Sequence, residues 1–569
     1  METTMTGVKG SDVYTADGVG NPLVALSALL VRGAAPSTIH DGVEAVLSTS
    51  DQALIEDLMV LTFQTRDIRG GKGERAVTEL LLKNLLTKPQ TLGLTLDLLD
   101  LLPEYGCWKD LFKLTLPFSW SRVLDIVQKQ FSKDEQALLE FHGDPSKPLK
   151  LSLLAKWLPR EGQPDVTTVV CKLVPGHMFW GSRMKQYRQR VSALNKALKT
   201  VEVQMCSGAW DTIVPGSVPG RAGKKYSRAF LNLPGTKSKG ELSREGLRHP
   251  DDPVRMACRE NFMEHFSKTA KGEVKAKGAD TLFPNEVVKK AWSLSRATEV
   301  SEDEKNHLRG VWCAMVEAAR EGGGLGRSLA MCDFSGSMGN NGSNANSPYW
   351  VSAALGLLIS EVTTEEFKDT FLTFDSRPKF HTLSSGDIFQ RLASINGTIG
   401  QGTSTDFQKA MDLVLARLKQ SRARPGQEPE NLIVLTDMAW DQACSSSESS
   451  VYTGNTYRHN VKTAPWQTHV EMIRESFKRA GEDMWGEGNG WKMPTIVIWN
   501  LAATCADFHA KADTEGVVML SGWSPSLFKV LQAKGVVQMT PMDALRIQLD
   551  DPRYDLVRAR VKAFFEKSA

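Results

Sequence analysis

The chain has 569 residues, of which 41% are hydrophobic and 24% charged, with a formal net charge of +3. That length exceeds one ordinary domain and predicts two or three, each with a core of its own, while the near balance of charge gives no whole-chain signal for nucleic acid and leaves its distribution along the chain to say more. The opening METTMTGVKGSDVY lacks the apolar segment of a secretion signal and no apolar run is long enough to span a bilayer, so a cytoplasmic protein is expected, with the nucleus left open and no membrane attachment.

After a flexible N-terminus over residues 1–25, residues 26–325 read mainly as helices. Leu54, Ile55, Leu58 and Met59 recur at helical spacing behind a candidate N-cap at Ser50, and Val77, Leu80, Leu81 and Leu85 repeat the pattern. Between them lies the polar segment RDIRGGKGER. Its Gly70 to Arg75 portion has the wrong spacing for a phosphate-binding loop and predicts a tight turn between helices. Leu92, Leu94, Leu96 and Leu98 alternate as in a strand, yet stand among helical patterns and are read as helix. Trp108 and Trp157 are expected to anchor helices rather than to offer faces to bases.

The pattern changes at EGGGLGRS, residues 321–328. From there RSLAMCDF, DTFLTF, NLIVLTD, PTIVIWNLA and GVVMLSG read as short apolar strands, separated by amphipathic helices from Pro348 to Val362, Asp406 to Lys419 and Thr468 to Ala480. Strict alternation predicts a doubly wound, mostly parallel α/β sheet over residues 326–540 with helices on both faces. The loops GNNGSNANSP and DQACSSSESSVYTGNTYRHN follow strand ends, where open α/β sheets keep their ligands. Residues 541–569 close the chain with a basic amphipathic helix expected to pack back on the body. The predicted fold class is therefore multidomain: an N-terminal all-α half and a C-terminal α/β doubly wound, Rossmann-like half.

Three separate stretches carry oxygen donors. Asp333, Ser335 and Ser337 follow the first strand, GQGTSTDF offers Thr403 or Thr405 ahead of a helix, and VLTD ends a strand at Asp437. Two carboxylates plus hydroxyls make an incomplete cage for Mg²⁺ or another hard divalent cation, which prefers six oxygens and keeps some waters. The competing use of the same Ser and Thr residues is to cap the next helix. Nothing points to catalysis: DFSGS is not G-x-S-x-G, no base is placed to activate Ser335, and no H-E-x-x-H occurs. The eight cysteines form no C-x-x-C pair, which suits free thiols in a reducing compartment.

D-x-S-x-S, a downstream G-x-T-x-T and a strand-terminal T-D, in that order over roughly residues 325–540, resemble the metal-ion-dependent adhesion site of von Willebrand factor A domains. The resemblance implies that Asp333, Ser335, Ser337 and Thr403 contact the metal, with Asp437 bound directly or through water. It also implies an open coordination position for a partner's acidic group. Met438 stands where a glycine often follows the last Asp, and the first loop is enlarged.

Between Lys172 and Arg248 fifteen Lys or Arg face four acids, Glu202, Asp211, Glu241 and Glu245. RMKQYRQR places Arg183, Lys185, Arg188 and Arg190 around Tyr187, and RAGKKYSRAF places Arg221, Lys224, Lys225 and Arg228 around Tyr226 and Phe230. Dispersed cations suit phosphates and aromatic faces suit unpaired bases, so the mixture points to RNA. A solvated helix face with a core stripe gives the same composition.

The segments RDIRGGKGER, EYGCWKDLF, LLAKWLPRE, YRQRVSALNKALKTVEVQMCSGAWDTIVPGSVP and FPNEVVKKAW resemble an uncharacterised family of plant, fungal and large-virus proteins related to the TROVE module of the Ro autoantigen. GVVMLSGWSPSLFKVL is similar to the closing strand and helix of the Ro domain. The resemblance implies HEAT-like helical repeats joined to a von Willebrand factor A domain, and binding of small structured or single-stranded RNA without enzymatic activity. A protein-interaction scaffold whose metal grips a partner's carboxylate, or a virion-associated structural protein, is the alternative.

Overall fold

The computed structural model describes residues 4–6, 12–176, 179–235, 246–297, 300–339, 347–374, 378–395, 407–438, 466–504, 506, 508–533 and 539–568. The N-terminal half is helical, and helices adjacent in sequence pack on one another, as Gln52–Arg66 does on Arg75–Thr87 and Arg75–Thr87 on Pro89–Leu98. Local chemistry sets many of the starts. Asn21 accepts from the Leu23 and Val24 amides at 3.0 and 3.1 Å ahead of Pro22–Leu29, and Asp252 does the same for Pro253–Ala270. The cap of Gln52–Arg66 is Asp51, accepting from Ala53 at 2.8 Å, and not Ser50 as the sequence suggests. Ser50 instead takes the chain through a left-handed turn at φ 54. The four alternating leucines do lie in a helix, Pro89–Leu98: Leu94 and Leu98, one turn apart, are buried, while Leu92 and Leu96 are partly buried against the same core.

The C-terminal half is built on a six-stranded sheet. A small N-terminal hairpin contributes β1 (Thr4–Thr6) and β2 (Asp12–Tyr14), and the sheet contains β3 (Ser328–Asp333), β4 (Thr370–Phe374), β5 (Phe380–Thr382), β6 (Asn431–Thr436), β7 (Thr495–Asn500) and β8 (Val517–Ser521) in the order β5-β4-β3-β6-β7-β8. All neighbours run parallel except the β4–β5 edge pair, which the sequence reading lacks. The register pairs Cys332 with Leu435 and Ile498 with Met519. Strands covered on both faces read as continuous apolar runs, and β3, β4 and β8 are buried throughout.

Two differences from the sequence expectation concern boundaries. Residues 13–25, read from the sequence as part of the N-terminal segment, pack on the body: Val13, Tyr14 and Val19 are buried, and the Tyr14 amide donates to Phe508 O at 2.8 Å. The halves also do not keep separate cores. One large apolar cluster joins Leu23 to Leu194 with Leu432, Ile496 and Val561, and another joins Val287, Val311 and Trp312 with Trp350, Ile433 and Trp499.

Both ends of the helical half rest on the α/β half. At its start, Pro22–Leu29 packs on β8, Asn500 Nδ2 donates to Ala28 O at 3.1 Å, and Ser521 Oγ donates to Ser27 O at 2.6 Å. At its end, Pro284–Ser295 packs on Pro348–Val362, where the Trp292 and Trp350 rings lie 5.6 Å apart. The closing helices Pro541–Leu549 and Asp555–Ser568 return to Gln52–Arg66, with Arg558 Nη1 on Glu56 at 2.9 Å and Asp57 at 3.0 Å.

The segment from Asp67 to Glu74 is the hub of this joint. It is a tight turn, as expected: Lys72 N donates back to Gln64 O at 3.1 Å, and a Cβ on Gly71 would lie 1.9 Å from Gln64 O, so only glycine fits there. Lys72 is buried, its Nζ donating to Ser27 O and Ser521 Oγ at 2.7 Å each. Burial pushes its ammonium down to about 7. Glu74 beside it is held by Arg32 at 3.1 Å. Asp67, fully buried, accepts from Arg553 Nη2 at 3.0 Å, Tyr554 Oη at 3.2 Å and the Arg69 and Gly70 amides at 3.1 Å each. Among the described residues no helix is long and apolar enough to cross a membrane.

Candidate metal centre

From β3 the chain moves outward to β4 on one side, and β6 pairs on the other side, so the strand order reverses between β3 and β6. The carboxyl ends of strands flanking such a reversal form the usual ligand crevice of an open α/β sheet. Asp333 ends β3 and Asp437 directly follows β6, which brings the two carboxylates to that point from sequence positions far apart.

Both aspartates have no solvent exposure. Asp333 Oδ1 accepts from the Ser335 amide at 2.8 Å and Oδ2 from Thr436 Oγ1 at 3.0 Å, so its carboxyl is fixed in direction. Burial, and then the neighbouring Asp437 charge, push the Asp333 carboxyl up to about 7. Such crowding of buried acids is costly for the empty protein and is relieved by a cation.

The hydroxyls of Ser335 and Ser337 face each other at 3.0 Å. They cap nothing. The cap of Pro348–Val362 is Ser347, whose Oγ accepts from Tyr349 N at 3.3 Å and donates to Met338 O at 2.7 Å. Among the described residues the capping alternative for Ser335 and Ser337 therefore has no counterpart, and their oxygens stand beside the Asp333 carboxyl. Among the described residues no three His, Cys, Asp or Glu side chains converge, so the donor set here is two carboxylates with hydroxyls. That chemistry fits a hard cation such as Mg²⁺ and does not fit zinc. Thr403, and with it Thr405, lies outside the described residues.

Sequence reasoning missed the support of this loop. Met438 takes a left-handed backbone at φ 68, with its amide donating to Thr436 Oγ1 at 3.3 Å and its carbonyl 3.0 Å from Nε2 of the buried His509. A histidine that works through a backbone carbonyl leaves no motif. Replacing Met438 by glycine relieves roughly 1–2 kcal/mol of left-handed strain but removes a buried side chain worth roughly 2–5 kcal/mol. Packing wins, so Met438→Gly is expected to destabilise the protein by about 1–3 kcal/mol in a urea titration.

The basic residues fall into two groups. Arg183, Lys185, Arg188 and Arg190 lie on Trp180–Leu198, whose buried face of Met184, Tyr187, Val191 and Leu194 joins the first large core. Lys224, Lys225 and Arg228 lie on Gly220–Phe230, which packs in a separate small cluster with Phe262 and Phe266. Tyr187 is buried with its hydroxyl donating to Pro159 O at 2.8 Å, and Phe230 stacks on Phe262 at 4.2 Å. Neither ring is open to a base. Arg190 Nε is bound to Glu135 at 2.6 Å, Lys224 to Glu286 at 2.7 Å, Arg228 to Glu304, and Arg188 to Glu161 at 2.8 Å on an exposed surface. Arg183 donates to Gly176 O and lies 3.1 Å from Cys171 Sγ, Lys225 sits over the Tyr226 ring at 4.8 Å, and Lys185 is exposed.

The arrangement at the reversal point is that of an open α/β sheet with carboxylates and hydroxyls at the carboxyl ends of β3 and β6. Residues 327–558, which span this sheet, match the family described as a domain of unknown function, DUF7788. The chain is also similar to an uncharacterized protein, L728, of Acanthamoeba polyphaga mimivirus: 25% identity over 520 residues, covering 88% of this chain and 80% of the relative. That similarity fits an uncharacterised large-virus family. No solved structure matches the chain.

Proposed function

We propose that this chain is a non-enzymatic, cation-dependent binding protein of TROVE-like type, in which a von Willebrand factor A-like domain holds Mg²⁺ and the HEAT-like helical half binds RNA. The observation that carries the reading is the pair of buried carboxylates, Asp333 and Asp437, beside the hydroxyls of Ser335 and Ser337 at the sheet's reversal point. Asp333, Ser335, Ser337 and Asp437, with Thr403, would hold the cation. Bound there, the metal supplies a positive centre for an acidic side chain or a phosphate oxygen. Asp333's fixed carboxyl and the buried floor of β3 and β6 orient the donors and keep water from the far side.

RNA capture rests on Arg183, Lys185, Arg188, Arg190, Lys224, Lys225 and Arg228. A scaffold for protein partners is the second reading, favoured by the engagement of Arg190, Lys224 and Arg228 with acids of this same chain. Titration against a structured RNA with a single-stranded tail separates the two. The expected result is binding whose logarithm falls linearly with log salt, by about 0.7 to 0.9 for each phosphate contact, and which is lost when Arg183, Arg188, Lys224 and Lys225 are changed to Glu. Absence of binding, or equal binding by both proteins, assigns the function to the scaffold.

A further inference from the structure

The segment from Lys172 to Lys199 contains seven Lys or Arg and no Asp or Glu. At the head of its helix, Phe179 is 89% exposed and Trp180 45% exposed. Large aromatics buried in this fold are the rule, and among the described residues neither of these rings packs against another ring or under a cation. Lys185 forms no ion pair among the described residues. Among the described residues Arg188 is held only by the exposed Glu161, a pairing of the kind that contributes under about 1 kcal/mol and is readily exchanged. Trp180 to Arg188 spans about 12 Å along the helix axis, so two exposed rings and two available cations fall within about two turns of chain.

We infer that Phe179 and Trp180 form a stacking platform for unpaired bases of single-stranded RNA, with Lys185 and Arg188 taking the adjoining phosphates. The inference rests on the RNA reading above and replaces Tyr187, which is buried, as the source of stacking. Every base offers a π-face, so such a platform is tolerant of sequence and selects against duplex, whose bases are already stacked. An anionic membrane is a poorer fit. The outward residues Gln186, Gln189 and Ser192 of the helix are exposed and polar, leaving no apolar face to enter a bilayer.

The test is binding of the full chain to a short fluorescent oligouridylate, to a duplex of equal length and to phosphatidylserine vesicles. Phe179→Ala with Trp180→Ala is expected to weaken oligouridylate binding by at least about tenfold with the salt slope unchanged, because stacking releases no counterions. Phe179→Tyr with Trp180→Phe is expected to retain it, and Lys185→Ala with Arg188→Ala to lower the slope by about 1.4. Wild-type binding that the double Ala variant shares overturns the platform and leaves RNA binding intact. No oligouridylate binding by the wild type, with tailed RNA still bound, also overturns it; no binding of any RNA removes both readings. Vesicle binding that depends on the two aromatics, with RNA binding unaffected, overturns it in favour of a membrane contact.

Discussion

Asp333→Asn is expected to stabilise the metal-free protein at pH 8 and to erase its response to Mg²⁺. The folded protein holds the Asp333 proton up to about 7, well above the ordinary 3.8, so it binds that proton more tightly than the unfolded chain does. Stability from this group is therefore complete below the unfolded value and is lost as pH rises through the folded one, by about 1.4 kcal/mol per pH unit and on the order of 4 kcal/mol in all. Asparagine cannot ionise, can accept from the Ser335 amide as before, and can donate to the Thr436 hydroxyl. A cation offsets the same repulsion in the wild type, adding about 2.7 kcal/mol at a hundredfold excess over its Kd. Thermal melts at pH 6 and pH 8, with Mg²⁺ or with chelator, read all of this. Equal Mg²⁺ responses in wild type and variant would place the cation elsewhere, and no response in either would end the metal reading.

Asp67→Ala is expected to cost about 3–5 kcal/mol, the range for breaking one side of a buried ion pair. Asp67 receives Arg553, Tyr554 and two backbone amides, and its loss strands all four at the joint between the helical half and the chain's end. Arg553 keeps 28% side-chain exposure and can turn to water, which sets the expectation at the low end of that range. Changing Arg553 to Met in the same protein is expected to return part of the loss, since no unpaired charge is then left behind. Urea denaturation of the two single variants and the double variant measures the coupling. A loss under about 1 kcal/mol for Asp67→Ala would mean that the joint does not depend on this pair.

The elements that the sequence made legible share one property: their signals are local. The strands β3, β4, β6, β7 and β8 are apolar runs bounded by polar loops, and Pro348–Val362 announces itself through Ser347 and Pro348. The Asp333, Ser335, Ser337 and Asp437 positions are read from the same local signal, since they end or closely follow β3 and β6. What was hidden depends on partners remote in the chain. Lys72 in a glycine-rich turn looks like a solvent-exposed residue, yet its hydrogen-bond partners lie 45 and 449 residues away. Glu135, Glu286 and Glu304 occupy Arg190, Lys224 and Arg228 from 55, 62 and 76 residues away, which no reading of local charge reveals. The three-residue strand β5 carries no alternation long enough to register as a strand.

The joint around Ser27, Asp67 and Lys72 has a further consequence for how the molecule is made. Ser27 waits for Ser521 and Asp67 for Arg553, contacts separated by 494 and 486 residues. At a synthesis rate of about 5–20 residues per second, the first helices leave the ribosome roughly 25 to 100 s before those partners exist. For that interval their buried face, with a lysine and an aspartate that will later be sealed away from water, is still open. Completion of the N-terminal half thus waits for Ser521 and Arg553 to be made, and residues far along the chain are the ones that close its first helices.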